Sequence, residues 1–239
     1  MSTSTSPTPR DTQTENAIRV LRNVRHFSEL HLAIHEALAS VAIPYQFAEG
    51  QVIFIEGEPA DYLYILESGW VKASRMSPEG REQAMLVVKP GEIFGDVALF
   101  TDTPYPGTVV ALEPTKVWAI GKSDILELIP CYPELALAVI RSLGQRILYY
   151  IGLVEDLSLR SVEARLAKTL LKNAEYIDGR LLVRRRKWAT FDRMANRLGT
   201  VRDVLSRALR SLEEEGLLQI ERHAIIILDP EGLARRGDT

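Results

Sequence analysis

Four polar side chains within residues 190–216, TFDRMANRLGTVRDVLSRALRSLEEEG, have the types and spacing needed to read a nucleic-acid groove. Arginine can donate two hydrogen bonds to guanine O6 and N7, and a carboxylate can accept from cytosine N4. Arg202, Asp203 and Arg207 supply those groups, and Ser206 adds a hydroxyl for a base or a phosphate. Their helical repeat has a second face made of Val201, Val204, Leu205, Ala208, Leu209 and Leu212. That pattern predicts an amphipathic helix. A solvated charged face would look the same, so the residues upstream matter. Thr190 is placed to cap a first helix, in which Phe191, Met194, Ala195 and Leu198 recur at helical spacing. Gly199 supplies the positive φ of a tight turn. Thr200 is expected to cap the second helix, with Asp203 in capping-box register. Together these features predict a helix-turn-helix whose second helix meets base edges near its N-terminal end.

The flanking segments fit the same chemistry. The run Arg184, Arg185, Arg186 and Lys187 stands directly before the first helix, where it is expected to meet phosphates. After Gly216, LLQIER and AIIIL read as a two-stranded wing whose turn carries Arg222 and His223. The candidate DNA-contacting residues are Arg186, Lys187, Thr190, Thr200, Val201, Arg202, Asp203, Ser206, Arg207 and Arg222. Charge is unevenly spread: residues 159–239 hold 17 Lys/Arg against 12 Asp/Glu, and residues 1–158 hold 12 against 20. A basic C-terminal part is the electrostatic footprint of a nucleic-acid reader.

The rest of the chain must carry and control this reader. Its 239 residues suffice for two modest domains. No uninterrupted apolar run reaches the ~18 residues of a membrane span, and the N-terminus lacks the apolar core of a secretion signal, so the expected compartment is the cytoplasm. The single cysteine, Cys131, excludes an internal disulfide and argues against a cysteine-ligated iron–sulfur cluster. Residues 1–14, rich in Ser, Thr and Pro, are expected to be disordered. Residues 15–43 read as helical with a break near Ser28. His31 and His35 lie one helical turn apart without an evident third metal ligand, and are read as surface histidines. From Phe47 to Ile120, short runs rich in β-branched and aromatic residues are punctuated by Gly57, Gly69, Gly80 and Gly91, which predicts an antiparallel sandwich or barrel. A long helix follows Pro133. In it Ala136, Ile140, Leu143, Ile147, Tyr150, Val154 and Leu157 step by alternating fours and threes, a heptad seam that predicts a two-helix dimer interface. Residues 161–176 read as a further amphipathic helix. The fold class is therefore α+β, with domains at 15–131, 159–239 and a dimerisation helix at 132–158.

A β-roll, a long dimer helix and a winged helix-turn-helix in that order resemble the Crp/Fnr family of bacterial transcription regulators. The resemblance spans about residues 18–233 and rests on FAEGQVIFIEGEPADYLYILESGWVKASR, KPGEIFGDVALF, TVVALEPTKVWAI and GTVRDVLSRALRSLEEEGLL. It implies a jelly-roll type β-roll, a homodimer on a pseudo-palindromic promoter site of double-stranded DNA, contact with RNA polymerase, and an effector pocket between β-roll and long helix. The resemblance puts Asp96, Tyr105, Tyr149, Tyr150 and Ile151 at that pocket.

Here the sequence departs from the cyclic-AMP-binding members. Asp96 replaces the ribose-binding glutamate, and Tyr105, Pro106 and Gly107 stand where Arg, Ser and Ala hold the cyclic phosphate. The phosphate would lose its cation and its hydroxyl donor. Tyr150 and Ile151 replace the adenine-contacting Thr and Ser. The departures argue against cyclic AMP. The iron–sulfur members need an N-terminal cysteine cluster that is absent here. Haem stays open, although His26, His31 and His35 occupy no evident pocket position. A small non-nucleotide effector and a filled cavity with no effector weigh equally. Two other functions compete with a plain DNA-binding regulator: a haem gas sensor that also binds DNA, and a cyclic-nucleotide-type module that regulates a partner protein. No metal site and no nucleophile–base pair points to an enzyme.

Overall fold

The computed structural model describes residues 9–77, 82–186, 188 and 190–237. They fall into two compact units, divided between Arg146 and Ile147. The first unit opens with helices α1 (Pro9–Asn23) and α2 (Leu32–Val41). Strands β1 (Ile43–Phe47), β2 (Val52–Phe54), β3 (Tyr62–Ser68), β4 (Val71–Met76), β5 (Glu82–Val88) and β6 (Ile93–Phe94) follow. Helix α3 (Asp96–Thr101) precedes β7 (Thr108–Ala111) and β8 (Thr115–Gly121), and α4 (Lys122–Cys131) closes the series.

The helical start at Pro9 corrects the expectation of a disordered tail over residues 1–14. Proline costs no hydrogen bond in a first helical turn, and Ala17, Val20 and Leu21 farther along α1 are buried in the core. Residues 1–8 lie outside the described residues, as does Gly80. Two four-stranded sheets, ordered β1-β8-β3-β6 and β2-β7-β4-β5, pair antiparallel throughout. They enclose one core of Phe54, Leu66, Val71, Val88, Phe94, Val109 and Val117. A second core, with Leu63, Ile65, Trp118 and Ile120 on the reverse of β3 and β8, packs under α1, α2 and α4. Both faces of β3 are therefore covered, which explains its near-continuous apolar run YLYIL in place of alternation. Between β3 and β4, Gly69 takes φ +86, and a Cβ there would lie 2.7 Å from the Pro114 carbonyl oxygen. Only glycine fits that turn.

His35 corrects the reading of a surface histidine. It is 1% exposed on the buried face of α2 with Ile34, Leu38 and Ala39, and its Nδ1 lies 3.2 Å from the His31 carbonyl oxygen.

Helix α5 (Pro133–Leu159) contains the division between the units. By length and composition alone its Pro133–Asp156 stretch is apolar enough to cross a membrane, yet Arg141 and Arg146 interrupt it, and charges within membrane spans are costly. The second unit continues with α6 (Val162–Lys172), strands β9 (Glu175–Ile177) and β10 (Arg180–Arg184), α7 (Phe191–Arg197), α8 (Arg202–Glu214), β11 (Leu218–Ile220), β12 (Ala224–Ile227) and α9 (Pro230–Gly237). Helix α6 is capped by Ser161, whose Oγ accepts from Ala164 N at 3.1 Å. It ends at Lys172, short of the expected 176. Glu175 already begins a hairpin turned by Asp178 (φ 49) and Gly179 (φ 76), the Asp-Gly chemistry of a tight two-residue turn. The sheet order is β11-β12-β10-β9, and Leu166, Leu170, Leu205, Leu209, Leu212 and Ile225 form its core with the helices.

Candidate nucleic-acid interface

Helix α7 begins where the sequence placed it. Arg193 N lies 3.4 Å from Thr190 Oγ1, a long capping bond, and Gly199 turns the chain at φ +63. Ala195, Leu198, Leu205 and Leu209 bury the crossing of α7 and α8. The second cap differs from expectation. Thr200 belongs to the turn, its N–H donating to the Ala195 carbonyl oxygen at 3.0 Å. Val201 is the N-cap residue of α8, without a side-chain bond, because the turn uses one residue more than the capping-box register allows. Asp203 still sits in the first turn, where the helix dipole favours a carboxylate. Val201 also leaves the apolar face to which its spacing assigned it: it is 64% exposed at the outer end of α8, where its methyls could meet a thymine methyl.

The outer face of α8 gathers the predicted readers. Arg202, Asp203, Ser206 and Arg207 line one shallow depression, together with Arg210. Sequence reasoning left Arg210 out of the DNA-contacting residues, although its i+3 spacing from Arg207 marks it as a neighbour on the same face. Arg202 Nη1 lies 3.5 Å from Asp192 Oδ2, both side chains being 61% exposed. Such a pair is weak and easily exchanged for another partner.

Arg186 is exposed in the segment between β10 and α7, and Lys187 lies outside the described residues. Arg222 is exposed in the wing turn, which Glu221 closes by donating its N–H to the Ala224 carbonyl oxygen at 2.8 Å. Glu213 of α8 holds the wing by accepting from Ile220 N at 2.7 Å. Arg185, grouped by sequence with the phosphate-facing run, instead turns toward the wing and α7.

Of the residues assigned to an effector pocket, Asp96 and Tyr105 have other partners within the first unit. Asp96 is 3% exposed. Its two carboxylate oxygens accept from Arg146 Nη1 and Nη2 at 3.0 and 3.2 Å, while Nη2 also donates to the Ile93 carbonyl oxygen at 3.2 Å. Tyr105 is 4% exposed. Its ring stacks on Phe54 with centroids 3.7 Å apart, and its hydroxyl donates to the Tyr62 carbonyl oxygen at 2.6 Å. Tyr64 and Phe94 extend the stack, with centroids 5.2 Å apart. Burial pushes the Tyr64 and Tyr105 phenols above the usual tyrosine range. Tyr150 and Ile151 are 37% and 58% exposed, and the Tyr149 side chain lies outside the described part. Among the described residues, no group of three or more His, Cys, Asp or Glu could hold a metal.

Along α5 the seam lies open in the single chain. Ile140, Ile147 and Val154 are 61%, 59% and 63% exposed, Ala136 and Leu143 are half-buried, and the Leu157 side chain lies outside the described part. Among the described residues, no atom outside the neighbouring turns of α5 crowds Gly144 or Gly152.

A jelly-roll effector-type domain joined by a long helix to a winged helix-turn-helix defines a two-part transcription regulator. Comparison with known proteins agrees. A family model described as cyclic nucleotide-binding domain matches residues 44–130, and one described as Crp-like helix-turn-helix domain matches residues 164–236. The chain is 30% identical over 205 residues to the CRP-like cAMP-activated global transcriptional regulator of Mycobacterium tuberculosis, covering 84% of this chain and 91% of that relative. It is also 30% identical over 174 residues to the cyclic AMP receptor protein of Thermus thermophilus, covering 73% and 78% of the two chains. The structure of FixK2 from Bradyrhizobium japonicum shares the fold, with a TM-score of 0.71 at 21% identity over 82% of this chain and 96% of that one. The chain belongs to the Crp/Fnr family of transcription regulators.

Proposed function

We propose that this chain is a non-enzymatic, cytoplasmic, homodimeric DNA-binding regulator that reads a two-fold promoter site through α8. The observation that carries the proposal is the single depression lined by Arg202, Asp203, Ser206, Arg207 and Arg210, which matches the donor and acceptor needs of a major groove. The exposed heptad seam of α5 supports a dimer, whose two α8 helices would meet half-sites about one helical turn apart. Arg202, Asp203 and Arg207 match the arrangement of the family's catabolite activators, a resemblance that favours half-sites related to TGTGA, and family membership favours contact with RNA polymerase.

Of the two effector readings, the β-roll favours the one with none. The Tyr105 ring lies on Phe54 at the position where a phosphate-binding arginine would stand, and Arg146 already occupies Asp96. A cyclic nucleotide would have to break both arrangements and would find no phosphate cation at Tyr105. The relatives' cyclic AMP therefore does not carry over to this chain. The haem and partner-module readings have no comparable observation in their favour. Incubating the purified protein with random duplexes, with and without cyclic AMP or haem, tests the proposal. An inverted repeat enriched equally under all conditions supports it, and enrichment only with an added ligand overturns the effector-independent part.

A further inference from the structure

We infer that Arg185 is a positioning residue for the wing, holding the wing turn to the first helix of the helix-turn-helix. The inference rests on the DNA-reading function proposed above. By sequence Arg185 is indistinguishable from Arg184 and Arg186, one more cation in a basic run. In the structure it points away from that role. Its backbone N–H donates to the His223 carbonyl oxygen at 2.8 Å, which extends the β10–β12 ladder beyond Arg184 and Ala224. Its guanidinium carbon sits 4.3 Å from the centroid of Phe191, the first residue of α7. From there Nη1 donates to the Glu221 carbonyl oxygen at 3.2 Å and reaches the Arg222 carbonyl oxygen at 3.5 Å. Nε is buried and has no hydrogen-bond partner among the described residues, so the group is committed to stacking on one side and to the turn carbonyls at its tip.

The geometry uses properties that lysine lacks. A planar guanidinium can lie flat on an aromatic ring while its forked N–H groups reach neighbouring carbonyls in the same plane. An ammonium is a compact, strongly hydrated charge that cannot do both. Arg185 thus links three things that DNA binding needs in fixed relation: the N-terminal residue of α7, the end of β10, and the backbone that presents the Arg222 side chain. The wing turn at 221–223 has no glycine, and Arg185 adds outside support to its own bond from Glu221 N–H to the Ala224 carbonyl oxygen.

The test compares Arg185→Lys and Arg185→Ala in the full chain, with Arg222→Ala and Arg207→Ala as partners in double-mutant cycles. The duplex is the one selected by the wild-type protein. Arg185→Lys is expected to bind about tenfold more weakly, the scale of a stacked, forked guanidinium replaced by an ammonium. With Arg222 taken as a phosphate contact of the wing, the salt slope should fall by about one per half-site, while base preference stays as in the wild type. Adding Arg222→Ala should cost little more, and adding Arg207→Ala should be additive. If Arg185 itself met a phosphate, the opposite would hold: lysine would preserve affinity and slope, and that result overturns the inference. So does additivity with Arg222→Ala, or a general loss of base preference. A readout without DNA keeps the two proposals separable. Amide exchange at residues 221–224 should accelerate at least tenfold in Arg185→Lys, about the same loss of local holding. Unchanged exchange overturns the inference whatever the DNA result. Accelerated exchange in a protein that selects no DNA upholds the clamp and overturns the DNA-reading function alone.

Discussion

Replacing Arg146 with alanine should strand a carboxylate inside the first unit. The Asp96 side chain is 4% exposed and its partner Arg146 is 21% exposed. Two hydrogen bonds at 3.0 and 3.2 Å link them. Removing one member of a buried ion pair costs about 3–5 kcal/mol, because the other charge stays buried and unpaired. Partial exposure of Arg146 places this case at the low end, about 3 kcal/mol. For a unit of this size the melting temperature should drop by about 6–12 °C. Calorimetry on the full chain, following the transition of the unit that holds Trp70 and Trp118, measures the drop. Asp96→Ala added to Arg146→Ala removes the stranded charge, so the double variant should be more stable than Arg146→Ala alone. If Arg146→Ala melts within a degree of the wild type, or if the double variant is the less stable of the two, then the pair does not hold α3 to α5 as described.

Ile147→Asp places a charge on an apolar seam residue that is 59% exposed in the single chain, where burial against a mate would be costly. Sedimentation should show a monomer without specific DNA binding, and a fully dimeric variant would mean the seam is misassigned. Arg207→Ala should cost about 1–3 kcal/mol per half-site and relax preference at one base pair. By contrast, Arg186→Ala should weaken all sequences alike and lower the salt slope by about one for each phosphate left without its cation. An unchanged preference in Arg207→Ala with a lower slope would assign that residue to the backbone. Burial holds the His35 ring below its ordinary value of 6.5. The unfolded chain then takes up the proton first as pH falls. Stability should be full above pH 6.5 and decline below it, toward the lowered folded-state value. Urea midpoints between pH 7.5 and 5 should decline less steeply for His35→Leu, and an equal decline in both proteins would clear His35 of the effect.

Much of this architecture is written in local pattern. The helix-turn-helix was legible because three short-range signals agree on one register: apolar residues at 3.6 spacing, a glycine with left-handed φ, and polar residues clustered on the opposite face. The β-roll was legible from glycine-punctuated β-branched runs. What failed depended on register finer than the pattern or on neighbours distant in sequence. The turn after Gly199 is one residue longer than a capping box permits, so Thr200 lies in the turn instead of capping α8. His35 shares a helical face with Ile34, Leu38 and Ala39, so its burial follows from helical phase, a signal that its one-turn spacing from His31 obscures. Tyr105 could be read only as a missing arginine. Its stacking depends on Phe54 and its hydroxyl on Tyr62, neither of which its neighbours in sequence reveal. Arg185 sits among identical cations, and only the return of the wing turn beside it separates its role from theirs.

In the function proposed above, α8 reads DNA and no small molecule is needed for it. Selection of random duplexes by this purified chain, with no ligand added, decides the matter. The expected result is a pseudo-palindrome with half-site centres about 10 base pairs apart, its preference relaxed in Arg207→Ala at one position of each half-site. Recovery of no sequence, or of a sequence without two-fold symmetry, would contradict it.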